Sequence, residues 1–176
     1  ADALDKLGSK IPWVVDPVMV STARDRLLDE DAVDSMKRRL ISRAQLVTPN
    51  MAEAEVLAGI TVSNPEEMIS AGKTILDLGA SAVLVTGGHL EGNMLTDVLV
   101  SSDGVKRYEG PRFETRHTHG TGCTLASAIS CGIAQGLALE DAVHQARNYV
   151  AMAIRLAPGY GSGHGPLNHS FPFEAS

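Results

Sequence analysis

Several features that would indicate a particular class of protein are scarce in this sequence. Only 4% of the 176 residues are aromatic, so the hydrophobic core must be built mainly from Ala, Val, Leu, Ile and Met. Lys and Arg number 15 against 21 Asp and Glu, which argues against a nucleic-acid partner because a phosphate backbone needs a basic surface. No apolar run approaches the roughly 20 residues of a membrane-spanning helix. The composition is therefore ordinary for a soluble globular domain and argues against a nucleic-acid-binding or membrane-spanning protein.

The sequence contains two cysteines, Cys123 and Cys131. Both fall within one predicted helix, where their spacing corresponds to a rise of about 12 Å and exceeds the roughly 7 Å between Cα atoms that a disulfide allows. We therefore expect two reduced thiols and a cytoplasmic location. Cys131 stands among Ala128, Ile129 and Ile133, so we expect it to lie in the core.

Short apolar runs alternate with amphipathic segments along most of the chain. The predicted strands cover residues 11–18, 45–48, 82–86, 96–100, 105–108 and 113–117, and the predicted helices cover 29–41, 51–58, 65–78, 121–135 and 139–156. This order predicts an α/β fold with a mostly parallel central sheet, helices on both faces and a β-hairpin. We expect a single domain over residues 1–176, an irregular tail from Pro158, and a hairpin at 96–108 that could support a homodimer.

Polar and glycine-rich segments follow three of the predicted parallel strands. They are Asp16–Pro17, Pro49–Asn50 and Thr86–Gly88. Ligands of open α/β sheets bind outside the carboxyl ends of the strands. We therefore expect these three strand ends to converge on one site.

The segment Gly120–Thr124 precedes an apolar helix. Two glycines at a helix start allow several backbone N–H groups to point outward, where the helix dipole favours an anion such as a transferring phosphoryl group. Cys123 would occupy the first turn, a position that generally lowers a thiol pKa. The alternative interpretation is a glycine-rich helix start with a structural cysteine.

The segment from Asn50 to Glu53 opens the predicted helix 51–58. An amide and a carboxylate one turn apart could hold a hydrated magnesium ion, which usually takes only one or two carboxylates from the protein. The alternative is an N-cap residue followed by an acid in the first turn. Asp16 could likewise contact substrate or metal, or could simply form the turn before Pro17. The backbone of Thr86–His89 could approach a phosphate, or could form only a tight strand exit.

Four segments occur together in an order and spacing that resembles a known family. Asp16–Met19, Thr48–Glu55, Leu84–His89 and Thr118–Thr124 resemble motifs of the hydroxymethylpyrimidine/phosphomethylpyrimidine kinases of thiamine biosynthesis, which belong to the ribokinase-like superfamily. The segment with Cys123 is the most specific, because most sugar kinases of the superfamily carry Asp at this position. The resemblance extends from about Val14 to Gly165.

The resemblance implies phosphorylation of hydroxymethylpyrimidine and then of its monophosphate, with ATP as co-substrate and Mg²⁺ as cofactor. The implied roles are magnesium and phosphate organisation by Asn50 and Glu53, an anion hole at Gly120, Thr121 and Gly122, a catalytic base at Cys123, substrate contact at Asp16 and Val18, and nucleotide contact at Thr86, Gly87, Gly88 and His89. Many members of the family have Lys where this chain has Thr86.

The family's glycine-rich N-terminal segment, which forms much of the pyrimidine pocket, has no counterpart in this sequence. We therefore expect the chain to be the C-terminal portion of a kinase domain, able to bind nucleotide but with little activity alone. Three alternatives remain open at this stage: a pyridoxal kinase of the same superfamily, a thiol enzyme with Cys123 as nucleophile, and a non-catalytic nucleotide-binding module.

Overall fold

The computed structural model describes residues 6, 11–19, 27–88 and 92–173. The chain forms two compact units, Ala1–Pro111 and Arg112–Ser176. The first contains strands β1 (Val14–Val15), β2 (Leu46–Val47), β3 (Ala82–Val85), β4 (Met94–Ser101) and β5 (Gly104–Pro111), helices α1 (Glu30–Arg39), α2 (Met51–Ala58) and α3 (Pro65–Leu76), and a 3₁₀ helix (Ile41–Arg43). The second contains helices α4 (Thr121–Ala134) and α5 (Leu139–Arg155) and a 3₁₀ helix (Phe171–Phe173).

One five-stranded sheet runs through the first unit in the order β1-β2-β3-β4-β5. Strands β1, β2 and β3 are parallel, while β4 is antiparallel to β3 and β5 is antiparallel to β4. The predicted hairpin is present and joins the edge of the parallel strands, which gives a mixed sheet. These elements confirm the predicted α/β architecture.

Side-chain caps define where the helices of the first unit begin. The Asp29 carboxylate accepts a hydrogen bond from the Ala32 amide at 2.8 Å, and the Asn64 side chain accepts one from the Glu67 amide at 3.0 Å. Pro65 follows the second cap, where its missing N–H is not needed. Because these signals are local, the helix starts were predictable from the sequence.

The core of the first unit lies between helices α1–α3 and one face of the sheet. Its buried side chains include Val33, Met51, Ala54, Leu57, Met68, Ala71, Ile75, Val47, Val83, Val85, Val98 and Val100. Side chains alternate between the two faces of a strand, and Leu46, Ala82 and Leu84, which alternate with this set, are buried as well. Burial on both faces is typical of parallel strands and explains their continuous apolar sequence.

Helices α4 and α5 pack closely in the second unit, since a methyl group at Gly132 would lie 3.0 Å from the Cβ atom of Ala142. The buried positions of α4 are Leu125, Ala126, Ile129 and Gly132. Cys131 is exposed, so the prediction that it lies in the core is wrong. It stands about 200° around the helix from Ile129, on the opposite face. No disulfide joins it to Cys123.

The predicted strand at 113–117 is also wrong, because residues 112–118 form no ladder with another segment. Strand β1 is shorter than the predicted 11–18, and α3 ends at Leu76 before the predicted limit. Within the described ranges, no helix is both long and apolar enough to cross a membrane.

Gly72 provides a test of the packing between α3 and the sheet. A Cβ atom at this position would lie 2.7 Å from Cγ2 of Val100, and Val100 is a buried side chain with a stiff rotamer. A Gly→Ala change inside a helix normally gains about 1 kcal/mol. We expect Gly72→Ala instead to lower the free energy of unfolding by about 1–2 kcal/mol, because overpacking outweighs propensity.

Urea denaturation of Gly72→Ala, Val100→Ala and the double variant measures this effect. The two changes should be less than additive, because the shortened side chain at Val100 makes room for the new methyl group. A more stable Gly72→Ala variant would contradict the close approach.

Candidate functional site

The carboxyl ends of the three parallel strands meet at one edge of the sheet, as the sequence predicted. The Thr48 amide donates to the Val15 carbonyl at 3.0 Å, and the Thr86 amide donates to the Pro49 carbonyl at 2.9 Å. Asn50 and Thr86 also form an isolated parallel bridge. The polar residues that follow β2 and β3 are therefore fixed side by side.

Glu53 holds this edge together through its carboxylate. One oxygen accepts a hydrogen bond from the Asn50 amide at 2.9 Å, while the Asn50 side chain accepts one from the Glu53 amide at 3.0 Å. This reciprocal pair is the capping box of α2. The other Glu53 oxygen accepts a bond from the Met19 amide at 3.3 Å. The carboxylate thus ties the segment after β1 to the start of α2.

The Glu53 side chain is only 3% exposed. Burial raises the pKa of this carboxyl above its ordinary value of 4.5, the amides of Asn50 and Met19 oppose the rise, and the negative charge of Asp16 adds to it. Among the residues that the structure describes, no cationic side chain contributes to this shift. A divalent cation bound near Glu53 and Asp16 would offset the electrostatic cost of their charges.

The donor set suits a hydrated magnesium ion better than a zinc ion. The oxygen-bearing side chains here are Asp16, Glu53 and Asn50, and a carboxylate oxygen of Glu53 can accept more than the amide bond that it already has. In the described part of the chain, no group of three or more His, Cys, Asp or Glu could hold a metal ion by itself. Water or phosphate oxygens would therefore have to complete the coordination.

The segment after β3 is shaped by an acid that the sequence analysis missed. Asp97 on β4 accepts a hydrogen bond from the Gly87 amide at 2.8 Å, which fixes the exit of the strand. The only sign of Asp97 in the sequence is that an acid stands in a mostly apolar strand. Gly88 is exposed, and a side chain there would meet no atom of the described residues within 4 Å. His89, a predicted nucleotide contact, lies outside the described residues.

Two other predicted positions occupy the segment after β1. Asp16 is partly buried and close enough to Glu53 to affect its ionisation. Val18 is 46% exposed, while its amide donates to the Asp16 carbonyl at 3.0 Å in a tight turn. An exposed apolar side chain beside a carboxylate is suited to contact with a small organic ring.

The glycine loop Gly120–Cys123 lies in the second unit and begins α4 without a side-chain cap. Its N-cap residue Gly120 has φ of 85°, a left-handed conformation, and as a glycine has no side chain with which to cap the first-turn amides. The first turn contains no acid, and side chains at Gly120 and Gly122 would meet nothing within 4 Å. In each of helices α1–α3, a first-turn amide donates a hydrogen bond to the side chain of an Asp or Asn N-cap. The start of α4 instead remains accessible to an external anion.

A missing side-chain cap is not enough to define this site, because the start of α5 lacks one as well. Helix α5 also has no side-chain cap, but Glu140 and Asp141 occupy its first turn and would repel an anion. Among the described helices, the combination of left-handed glycine, open space and lack of acid is found only at α4.

Cys123 is exposed at the start of α4. It lines one end of a groove of about 540 Å³. The other lining residues are Thr124, Ser127, Ala128, Cys131, Gly132, Gln135, Gln145, Tyr149 and His169. An accessible thiol would therefore lie close to a reactant held at the glycine loop.

The ionisation of Glu53 gives a pH-dependent test of this geometry. Because its folded-state pKa is raised above 4.5, the folded protein binds this proton more tightly than the unfolded chain. The stabilisation is fully present below the unfolded pKa and is lost as pH rises through the folded pKa. The free energy of unfolding of the protein relative to Glu53→Gln should therefore fall over that window.

Glu67 is a matched control with the opposite sign. Its pKa is lowered, chiefly by hydrogen bonds from Ser63, so its stabilisation is present at higher pH and is lost as pH falls through the folded pKa. Denaturant unfolding of Glu53→Gln, Glu67→Gln and the parent between about pH 3 and pH 8 measures both slopes. Slopes of the same sign would contradict the different environments of the two carboxyls.

Comparison with known proteins identifies relatives along most of the chain. The family model described as phosphomethylpyrimidine kinase matches residues 1–168. A hydroxymethylpyrimidine/phosphomethylpyrimidine kinase from Staphylococcus aureus (strain MSSA476) is 39% identical over 161 residues, covering 90% of this chain and 58% of the relative. The corresponding protein of Rhizobium meliloti is 44% identical over 172 residues, covering 96% and 64%. The chain thus spans about three fifths of these relatives' length.

Solved structures agree with this relationship. The Staphylococcus aureus pyridoxal kinase in complex with AMP-PCP is 31% identical and superposes with a TM-score of 0.87, covering 95% of this chain and 61% of that one. Sequence and structure together show a ribokinase-like α/β fold, and this chain belongs to the phosphomethylpyrimidine kinase family.

Proposed function

We propose that the protein phosphorylates hydroxymethylpyrimidine and its monophosphate with ATP and Mg²⁺, acting in the cytoplasm in thiamine biosynthesis. The observation that carries this proposal is the start of α4, where Gly120 leaves the first-turn amides uncapped in an open, acid-free environment. Such a helix start stabilises the charge of a phosphoryl group during transfer. Family membership supplies the reaction class.

Phosphoryl transfer depends mainly on positioning and charge stabilisation, so few residues need to react. In the reaction, the substrate hydroxyl oxygen bonds to the γ-phosphorus while the bond to the β,γ-bridging oxygen breaks, and ADP leaves with that electron pair. The loop Gly120–Cys123 would bind the transferring group through those of its amides that do not bond within the protein, which excludes the Thr121 amide. Cys123, exposed beside them, would accept the hydroxyl proton as general base.

We assign nucleotide and metal binding to the strand ends of the first unit. Asn50 and Glu53 would hold Mg²⁺ through water and phosphate oxygens, which fits a buried carboxylate whose charge no described cation offsets. Mg²⁺ supplies charge neutralisation at the phosphates. The backbone of Thr86–Gly88, with His89, would contact the nucleotide, and Asp16 and Val18 would contact the pyrimidine.

Pyridoxal phosphorylation is the second candidate, and one observation favours it. The Staphylococcus aureus pyridoxal kinase has a TM-score of 0.87 to this chain, although its identity of 31% is below the 39% of the curated pyrimidine kinase. The complete gene product should therefore be supplied with ATP and either hydroxymethylpyrimidine or pyridoxal. A kcat/KM that is higher for pyridoxal would replace the pyrimidine assignment.

The two successive phosphorylations provide a selective test of Cys123. The first nucleophile is a neutral hydroxyl, which must lose a proton. The second is a phosphate monoester, whose second pKa is about 6 and which is largely ionised at neutral pH. We expect Cys123→Ala to reduce the first step by about 100-fold or more, to affect the second much less, and to leave ATP binding unchanged.

Quantifying each product by mass spectrometry, with ATP affinity measured separately, distinguishes the two steps. Cys131→Ser is the matched control, because Cys131 is another exposed thiol on α4 with no proposed role in catalysis. Near-normal rates of the first step in Cys123→Ala would exclude Cys123 as the base. Equal losses in both steps would indicate that Cys123 positions the phosphoryl group instead.

A further inference from the structure

The segment preceding the glycine loop is enclosed by a turn of the C-terminal segment. A side chain at Gly159 would lie 3.7 Å from Nε2 of His117, and a side chain at Gly165 would overlap Nδ1 of the same ring. The His117 ring thus packs between both ends of residues 159–165. Its Nδ1 atom is buried and has no hydrogen-bond partner among the residues that the structure describes. We call residues 116–119 and 159–166 together the clasp.

Arg116 closes one side of the clasp with polar contacts. Its guanidinium donates to the carbonyl of Ser162 at 3.2 Å and to that of Gly161 at 3.3 Å. In return, Nδ1 of His164 lies 3.1 Å from the Arg116 carbonyl. Contacts in both directions fix these two segments against each other even though neither forms regular structure.

The other side of the clasp is anchored on α5. The His119 amide donates to the Gly165 carbonyl at 3.4 Å. Two residues further on, Leu167 is 4% exposed, and the Asn168 amide donates to the Ala153 carbonyl at 3.0 Å. The clasp therefore connects the end of α5 to the residues immediately before Gly120.

Thr118 connects the clasp to the glycine loop. Its carbonyl accepts hydrogen bonds from the Thr121 amide at 3.3 Å and from the Thr121 hydroxyl at 2.7 Å. On the helical side, the Thr124 hydroxyl donates to the Gly120 carbonyl at 2.7 Å. The loop is thus held from both directions, by the clasp before it and by the first turn of α4 after it.

We propose that the clasp positions the phosphoryl-binding loop and that His117 is its central positioning residue. An uncapped helix start binds an anion well only when its amides are already oriented, because ordering them on binding reduces affinity. The clasp supplies that orientation through the packing of His117 under Gly165. This inference rests on the proposed function for its catalytic meaning, whereas the structural constraint can be measured without catalysis.

Two glycines of the same turn provide a matched pair for the test. An alanine at Gly165 would overlap His117 and lie 2.8 Å from the Tyr160 carbonyl, whereas an alanine at Gly163 would meet nothing within 4 Å. Two histidine changes complete the set: His117→Ala removes the ring, and His144→Ala alters an exposed histidine of α5. His117→Asn is the conservative variant, because its side chain keeps an atom near the Nδ1 position that packs against Gly165.

Three measurements on the full chain, in a Cys131→Ser background, report on the loop. They are amide hydrogen exchange, the rate at which iodoacetamide alkylates Cys123, and the affinity for ADP with Mg²⁺. We expect Gly165→Ala and His117→Ala to accelerate exchange at residues 118–123 about tenfold and to weaken ADP binding about tenfold. The Cys123 alkylation rate should change, exchange in the centre of α5 should not, and His117→Asn should retain most of the parent behaviour.

Gly163→Ala and His144→Ala should match the parent in all three measurements. Equal behaviour of Gly165→Ala and Gly163→Ala would overturn the inference. A uniform rise in exchange across α4 and α5 would also overturn it, because it would show a general structural role. If the parent binds no ADP, the proposed function fails, and the exchange comparison still decides whether the clasp orders the loop.

Discussion

The arrangement of the first unit depends on the hydrogen bonds that the buried carboxylate of Glu53 accepts. Its two oxygens accept backbone hydrogen bonds from Asn50 and Met19, so one side chain joins the segments that follow two parallel strands. The same group is the reciprocal cap of α2. Because the carboxylate is buried and repelled by Asp16, the contact that stabilises the backbone also creates a local need for positive charge.

The second unit has the opposite electrostatic character at its glycine loop. Its uncapped amides at the start of α4 provide partial positive charge, whereas Glu53 and Asp16 provide negative charge in the first unit. A magnesium–nucleotide complex contains both a cation that needs oxygen ligands and phosphates that need N–H donors. Taken separately, the strand ends of the first unit are suited to a hydrated cation, and the helix start of the second unit is suited to a phosphate.

Local signals made much of this structure predictable from sequence. Asp29, Asn50 and Asn64 each cap a helix within one residue of its predicted start, because capping depends on neighbours within a few positions. The run 82–85 was predictable as a buried strand because all four of its residues are apolar, which is also a local signal. The convergence of the strand ends follows from their parallel direction alone.

The predictions were wrong where the structure depends on residues that are distant in sequence or on the position of a side chain around a helix. Residues 113–117, which were predicted as a strand, form no ladder, and Arg116 binds carbonyls of a tail segment that is distant in sequence. Nothing in the sequence near His117 indicates that Gly165 will cover it. Cys131 was misplaced because adjacent apolar residues suggest burial, whereas position around the helix decides it.

The roles of Gly120–Cys123, Asn50 and Glu53 in nucleotide binding remain predictions that the fold makes physically reasonable. The most direct test is nuclear magnetic resonance of the ¹⁵N-labelled chain during titration with ADP and Mg²⁺. The account predicts saturable shifts that are largest at the amides of residues 121–124, with further shifts at residues 50–53 and 86–88. Saturable binding that leaves the amides of residues 121–124 unchanged would contradict the assignment of the glycine loop as the phosphoryl-binding element.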